Sequence, residues 1–437
     1  MHLLYSIALG LALIISLPYW LAGMLRQGKY RAGLAGRLGE VPESLRATGA
    51  LERCIWVHAV SVGEVLAVIP LIERLKRKFE GVRVVVSTTT MTGQALAHKK
   101  FGDEDVFYFP LDFAFAMRPY LRRLRPSLVV VAETEFWPNF LRLAHAEGAR
   151  IAVVNARISD RSFPRYQSFS ALLRPILRNV DLFLAQSEAD RERLLRIGAE
   201  AGRVQVGGNL KFDADVPIQD GLTQRLRAAI PCAAKVLVCG STVDGEEEVL
   251  VDAFQALVKE HRELVMILAP RHPERFQAVA DLLARRSVRF WRRSAWDGTP
   301  VSEGVFLLDS IGELANVYRI ADFAFVGGSL VPRGGHNILE PAQFGVPTMV
   351  GPHTENFRDI LTIFERVNAV LRVDGNSLLP ELKAWIADPA TAKIMGAKAL
   401  EVYRSQAGAV DRTLSALEVL MWLPETMRKG YQQQVSR

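Results

Sequence analysis

Four carboxylates stand where apolar runs of this chain give way to polar turns. Glu64 ends the stretch VHAVSVGE, Glu133 and Glu135 follow the apolar run Leu128–Ala132, and Glu340 lies within VPRGGHNILEP, residues 331–341. A carboxylate at such an edge can take a proton from a substrate hydroxyl or accept hydrogen bonds from a sugar. Ser61-x-x-Glu64 is also a capping box, in which the glutamate reaches back to a backbone N–H. The two readings of Glu64 stay open, but they differ in size. A lost cap costs about 1 kcal/mol of stability, whereas a lost general base costs roughly 10²- to 10⁴-fold in rate. Gly63 leaves the start of the expected helix open to a ligand.

Charged residues at a strand exit commonly just meet solvent. Glu133 and Glu135, however, are followed by Phe136, Trp137 and Pro138. The aromatics could wall a sugar pocket while one carboxylate binds hydroxyls or orients a base. Glu133, nearer the strand end, is the preferred one. Around Glu340 the demands differ. Asn337-x-x-Glu340 is formally an N-cap with a carboxylate three residues on, and the bare backbone of Gly334 and Gly335 before it lets an anion approach closely. A phosphate resting on that helix start would put a ribose within reach of Glu340. Gly327, Gly328 and Ser329 offer a second small-residue loop, and His336 is read as shaping the backbone. Gly240, Ser241 and Thr242 are expected at another helix start suited to a single anion, although Asp244-x-x-Glu247 could be a further capping box. GxxxxGK[ST] is absent, so this is not a P-loop. Arg271 could clamp a phosphate or a carboxylate bidentately, while His272 could equally be a solvated loop residue.

The elements that must carry these residues repeat. CIWVHAVSVGEVLAVIPLIERLKRKFEGVRVVVSTTT reads strand, glycine-bearing turn, amphipathic helix, strand, and AKVLVCGSTVDGEEEVLVDAFQALVKEHRELVMILAP, from Ala234, reads the same way. Short β-branched runs between helical stretches predict parallel sheets. Further strands are expected at 151–154, 182–185 and 204–206, then at 305–308, 323–326 and 348–350. Polar residues and two prolines across 211–233 predict a linker. The economical α/β architecture is two Rossmann-like, doubly wound domains facing a cleft, with ligands beyond the carboxyl ends of the strands.

At 437 residues, 49% hydrophobic and 23% charged, the chain suits two cores and excludes disordered and fibrous classes. Its net charge of +7 calls for an acidic partner. No nucleic-acid signature or metal-ligand motif stands out. Leu3 to Leu25 holds 23 residues without a charge, followed by Arg26, Lys29, Arg31 and Arg37. That pattern predicts an N-terminal hydrophobic membrane anchor with the body in the cytoplasm, whether the segment spans the bilayer or lies in one leaflet. Basic runs at Arg74–Lys78 and Arg122–Arg125 would then meet anionic lipids. Cys54, Cys232 and Cys239 form no CxxC pair and are read as reduced, mostly buried thiols.

VHAVSVGE, ETEFWPN, GGNLKFD, APRH and GGHNILEP, in this order and spacing, resemble the membrane-anchored 3-deoxy-D-manno-octulosonic acid (Kdo) transferases, glycosyltransferase family 30. The resemblance runs from the anchor to about residue 360. It implies a GT-B fold and metal-independent, inverting transfer of Kdo from CMP-Kdo to a lipid A precursor in lipopolysaccharide biosynthesis, without a cofactor, at the cytoplasmic face of a bacterial inner membrane. By the same resemblance Glu64 is the general base and Glu133 a second essential carboxylate, while Arg271, Gly335, Asn337 and Glu340 hold the donor nucleotide. Gly240, Ser241 and Gly334 join them as donor-side candidates, and Ser61, Gly63, Glu135 and Trp137 are candidates on the acceptor side. The implied organisation is an anchor over 1–30, an acceptor domain over 31–210, a linker over 211–233, a CMP-sugar domain over 234–410, and a tail over 411–437 whose helix returns to the first domain. Another GT-B enzyme using a UDP-sugar, or a non-catalytic nucleotide-sugar-binding protein, are the alternative readings.

Overall fold

The computed structural model describes residues 5–7, 9–11, 13–16, 33–45, 54–213 and 220–422. The chain forms two compact units, residues 1–214 with 407–437, and residues 215–406.

Each unit is built on a seven-stranded parallel sheet. The first contains β1 (Cys54–His58), β2 (Arg83–Thr88), β3 (Val106–Tyr108), β4 (Pro126–Ala132), β5 (Arg150–Ala156), β6 (Leu182–Ala185) and β7 (Val204–Val206), in the order β3-β2-β1-β4-β5-β6-β7. The second contains β8 (Lys235–Thr242), β9 (Leu264–Pro270), β10 (Phe290–Arg292), β11 (Val305–Leu307), β12 (Phe323–Val326), β13 (Thr348–Val350) and β14 (Leu371–Arg372), ordered β10-β11-β9-β8-β12-β13-β14. The direction of winding therefore reverses between β1 and β4 in one sheet, and between β8 and β12 in the other. Doubly wound sheets open a crevice at that point, beyond the strand ends.

Both faces of each sheet are covered, which explains why the strands read as unbroken apolar runs. In the first unit Trp56, Val129, Val131, Ile151 and Val153 face one core. Their neighbours Ile55, Val57, Leu128, Val130 and Ala152 face the other. In the second, Leu237 and Cys239 alternate with Val236 and Val238 in the same way. The helix Ala409–Trp422 adds Val410, Leu417 and Leu420 to the first unit's core. Burying a leucine contributes roughly 1.5–3 kcal/mol, so this late segment is an integral part of the unit.

Residues 220–229, expected within a linker, instead form a helix whose Leu222 and Leu226 are buried in the second unit. Gln224, Arg225 and Arg227 are exposed on it, and such polar residues masked the apolar positions four apart. Cys54 and Cys239 are buried and Cys232 is exposed, in keeping with a mostly buried set. The expected anchor falls mostly outside the described residues. Those described within 5–16 are helical, and Tyr5 donates its hydroxyl hydrogen to Asp112 at 3.0 Å. Among the described residues no helix is long and apolar enough to cross a membrane.

Candidate functional site

In the first unit the reversal between β1 and β4 brings Glu64 and Glu133 to one edge. Ser61 caps the helix Val62–Lys78, and Glu64 lies in its first turn. The capping box is formed. Val60 N–H donates to Glu64 Oε2 and the Ser61 hydroxyl to Oε1, both at 2.8 Å, while Glu64 N–H reaches Ser61 Oγ at 3.4 Å. These bonds fix the carboxyl group without exhausting its lone pairs. Only 7% of Glu64 is exposed, and burial pushes its carboxyl up to about 7, helped by the charges of Glu133 and Glu135. A base with that affinity for a proton is matched to work near neutral pH. Capping and base chemistry are thus compatible in one residue. Gly63 beside it is exposed, and a Cβ there would meet only Ser61 Oγ, at 3.9 Å.

Glu133 directly follows β4 with φ +56°, a left-handed conformation unusual for a residue with a side chain. Its N–H is held by Val154 O at 2.9 Å. Such strain persists where surrounding structure enforces it, and is found preferentially at functional sites. Glu135 has its carboxyl raised by burial and by the neighbouring Glu133. The Trp137 ring packs on Phe109, with centroids 5.4 Å apart, and edge-on to His58 at 6.3 Å, and it stays partly exposed. Phe136 likewise packs on Phe183 and Tyr166. His58 offers no competing base. It is fully buried, its Nδ1 is tied to Ser87, and burial lowers its imidazole to about 3.

In the second unit the expected anion loops take a different form. Gly240 and Ser241 lie inside β8, and the following helix, Glu247–Glu260, begins five residues after Thr242, so neither is at a helix start. Gly240 is glycine for packing: a Cβ there would lie 2.0 Å from the Tyr318 hydroxyl. The crevice between β8 and β12 already holds an anion, the carboxylate of Glu246. It accepts N–H bonds from Val243 at 3.0 Å, Gly328 at 2.7 Å, and Ser329 and Leu330 at 2.8 Å. Gly327, Gly328 and Ser329 therefore serve an internal carboxylate. Asp244 and Glu247 both pair with Arg275 instead of forming a capping box. Glu246→Ala would strand four backbone donors, and we expect it to lower unfolding free energy by about 3 kcal/mol in urea denaturation. A loss under about 1 kcal/mol would mean water replaces the carboxylate there.

The remaining donor-side candidates do gather. Gly334 and Gly335 adopt φ +88° and +75°, which makes glycine necessary at both. Gly335 N–H donates to Gly328 O at 2.7 Å, joining the two loops. The helix that follows, Leu339–Ala342, is a single turn beginning later than expected, and the Asn337 side chain accepts from Leu339 N–H at 3.1 Å. So short a helix has little dipole to offer an anion. Glu340 is half-buried, and its carboxyl is pushed up to about 7 by burial, against the pull of Arg271 and a hydrogen bond from Asn337. Arg271 is exposed at the end of β9, with its N–H on Thr242 O at 2.8 Å. The His336 ring packs on Gly328, and burial with nearby Arg271 and His272 holds it neutral, down to about 4. Arginine, carboxylate and glycine loop thus share one edge of the second sheet.

A family model described as 3-deoxy-D-manno-octulosonic-acid transferase matches residues 32–214. The 3-deoxy-D-manno-octulosonic acid transferase of Haemophilus influenzae is 34% identical over 400 residues, covering 90% of this chain and 92% of that one. That of Bordetella pertussis is 36% identical over 431 residues, 95% and 98% of the two chains. The chain belongs to the Kdo transferase family. Its architecture is also that of a solved UDP-GlcNAc 2-epimerase from Neisseria meningitidis bound to UDP-GlcNAc, with a TM-score of 0.55 over 84% of this chain and 99% of that one. At 15% identity this likeness speaks for the fold alone. Two parallel-sheet domains resembling GT-B glycosyltransferases describe it.

Within this Kdo transferase fold, sequence reasoning missed Lys211. It belongs to GGNLKFD, and its Nζ lies 3.9 Å from Glu133 Oε1, the nearest cation to that carboxylate among the ion pairs described. Its signal was weak because a lone lysine in a turn usually faces solvent. Glu246 was missed for the opposite reason, lying in an acidic run, GEEE, that looks solvated.

Proposed function

We propose that the chain transfers Kdo from CMP-Kdo to a lipid A precursor in lipopolysaccharide biosynthesis, with Glu64 as general base. Kinship to Kdo transferases along nearly the full chain supports the activity. The buried Glu64 carboxyl, raised to about 7 at the reversal point of the first sheet, carries the mechanism. Glu64 accepts the proton of an acceptor hydroxyl as that oxygen attacks the anomeric carbon of Kdo. The bond from that carbon to the CMP phosphate breaks, and CMP leaves with the electron pair. Attack opposite the leaving group inverts the configuration. The phosphate leaves well, so one base is enough.

Glu133 and Glu135 orient the acceptor, with Lys211 balancing their charge. On the second unit, the Gly334–Gly335 turn admits the single phosphate of CMP, Arg271 clamps that phosphate or the Kdo carboxylate, and Glu340 accepts the ribose hydroxyls. Gly240 acts through packing against Tyr318, and Trp137 stands on the acceptor side. The uncharged N-terminal stretch and the basic residues after it favour attachment to anionic lipids of the inner membrane, with the body on the cytoplasmic side.

The full-length protein, given freshly generated CMP-Kdo and tetra-acylated lipid A precursor, is expected to yield a product heavier by Kdo in mass spectrometry. A folded protein that leaves the precursor unchanged, but turns over a UDP-sugar, would replace CMP-Kdo as donor.

A further inference from the structure

The chain leaves the first unit after residue 214 and rejoins it at residue 407. One carboxylate holds the two sides of this excursion together. Asp213 accepts N–H bonds from Gly408 at 2.6 Å and Val410 at 2.5 Å, at the start of the helix Ala409–Trp422. The same helix grips the turn before Asp213. Arg412 Nε donates to Gly207 O at 3.0 Å, and the close approach of Arg412 and Ala409 leaves no room for a side chain at Gly208, whose φ is +89°. The middle of the turn is held from β5: the Asn155 side chain accepts from Leu210 N–H at 3.1 Å. Asn155 itself sits at φ +54°, on the strand beside β4, which strained Glu133 directly follows. Leu210 and Phe212 are fully buried, and Lys211 between them reaches Glu133.

The strengths of these contacts give a direction of control. Lys211 and Glu133 are each 28% exposed and 3.9 Å apart, a separation and setting in which an ion pair holds little together. Asp213 instead makes two short, charge-assisted bonds to backbone N–H groups, the stronger class. The turn places the lysine; the lysine does not place the turn. We propose that Asp213 is a positioning residue for the Lys211–Glu133 pair, by fixing the 207–213 turn to the returning helix. The seating of that helix's first turn, residues 408–412, thereby becomes a condition for the charge arrangement beside the acceptor. The kinetic part rests on the transferase reading above; the structural part does not.

The test compares full-length wild type with Asp213→Ala, Lys211→Met, the double variant and Leu420→Ala, by transfer kinetics and hydrogen exchange. Asp213→Ala is expected to lower kcat about 10- to 100-fold, leave KM for the donor unchanged, and speed exchange across 207–213. The double variant should be no slower than Lys211→Met, since both changes remove one arrangement. Leu420→Ala, which loosens the far end of the same helix, should lower Tm and leave kcat alone. Asp213→Asn keeps one acceptor and should recover part of the rate, which covers the case in which the alanine variant fails to fold. Multiplying losses in the double variant, a wild-type kcat in Asp213→Ala, or unchanged exchange across 207–213 would each overturn the proposal. Wild type without transfer would count against the assigned reaction, and the exchange data would still decide whether Asp213 holds the turn.

Discussion

Glu64→Gln is expected to lower transfer by at least about 10²-fold with almost no change in melting temperature. The two halves follow from different properties of one side chain. Glutamine keeps the shape and one acceptor oxygen, so much of the contact with Val60 and Ser61 survives. Losing the rest costs up to about 1 kcal/mol. Against this stands a gain. The folded carboxyl binds its proton more tightly than in the unfolded chain, about 7 against 4.5. The folded state therefore holds the extra proton between those values, and stability falls as pH rises through that window. Glutamine removes this dependence, so the variant should compare best with wild type above pH 7. Catalysis runs the other way. The wild-type rate should fall about tenfold per unit as pH drops below about 7, and the variant should lose that limb. Steady-state rates from pH 5.5 to 8.5 with matched thermal melts test both. A fully active variant with a lower melt would leave Glu64 a helix cap and nothing more.

The central strands were legible because a strand buried on both faces has no polar alternation to blur it. β9 is apolar along its whole length, and β4, β5 and β8 carry the unbroken runs Leu128–Ala132, Ile151–Val154 and Val236–Cys239. The edge strands β3, β10 and β14 are short and none is buried along its whole length, so no fully apolar run marks them. Within the candidate site, residues bonded to near neighbours were readable. Ser61 and Glu64 are three apart and make the capping box that their spacing predicts. What escaped was set by distant partners. Glu246 is 82 residues from Gly328, the N–H it satisfies, and so appears in sequence as one acid among several. The glycines at 327 and 328, taken for a ligand loop, make room for that carboxylate and for the ring of His336. Gly240 was mistaken in the same way, because a glycine required by Tyr318 is indistinguishable from one required by a phosphate until the tyrosine is in place.

Glu340→Gln should raise KM for the CMP-sugar roughly 10- to 100-fold while leaving kcat at saturation nearly unchanged. Two ribose hydroxyls can donate to the two oxygens of a carboxylate, but glutamine offers one acceptor and one donor. Hydrogen bonds to a charged group contribute about 1.5–3 kcal/mol each, and every 1.4 kcal/mol is tenfold in affinity. The ribose is remote from the breaking bond and is bound equally before and at the transition state, so the loss should fall on KM. The burial that raises this carboxyl to about 7 adds a second signature. Below that pH the group is protonated and gives up acceptor capacity, so wild-type affinity for CMP should weaken as pH falls from 8 to 6. The glutamine variant should bind weakly and evenly across the range. Calorimetry with CMP alone isolates this effect from the titration of Glu64, which belongs to the other unit and to the chemical step. Unchanged CMP binding in the variant, or a pH dependence that survives in it, would leave Glu340 as a packing partner of Tyr318, whose hydroxyl its charge already perturbs.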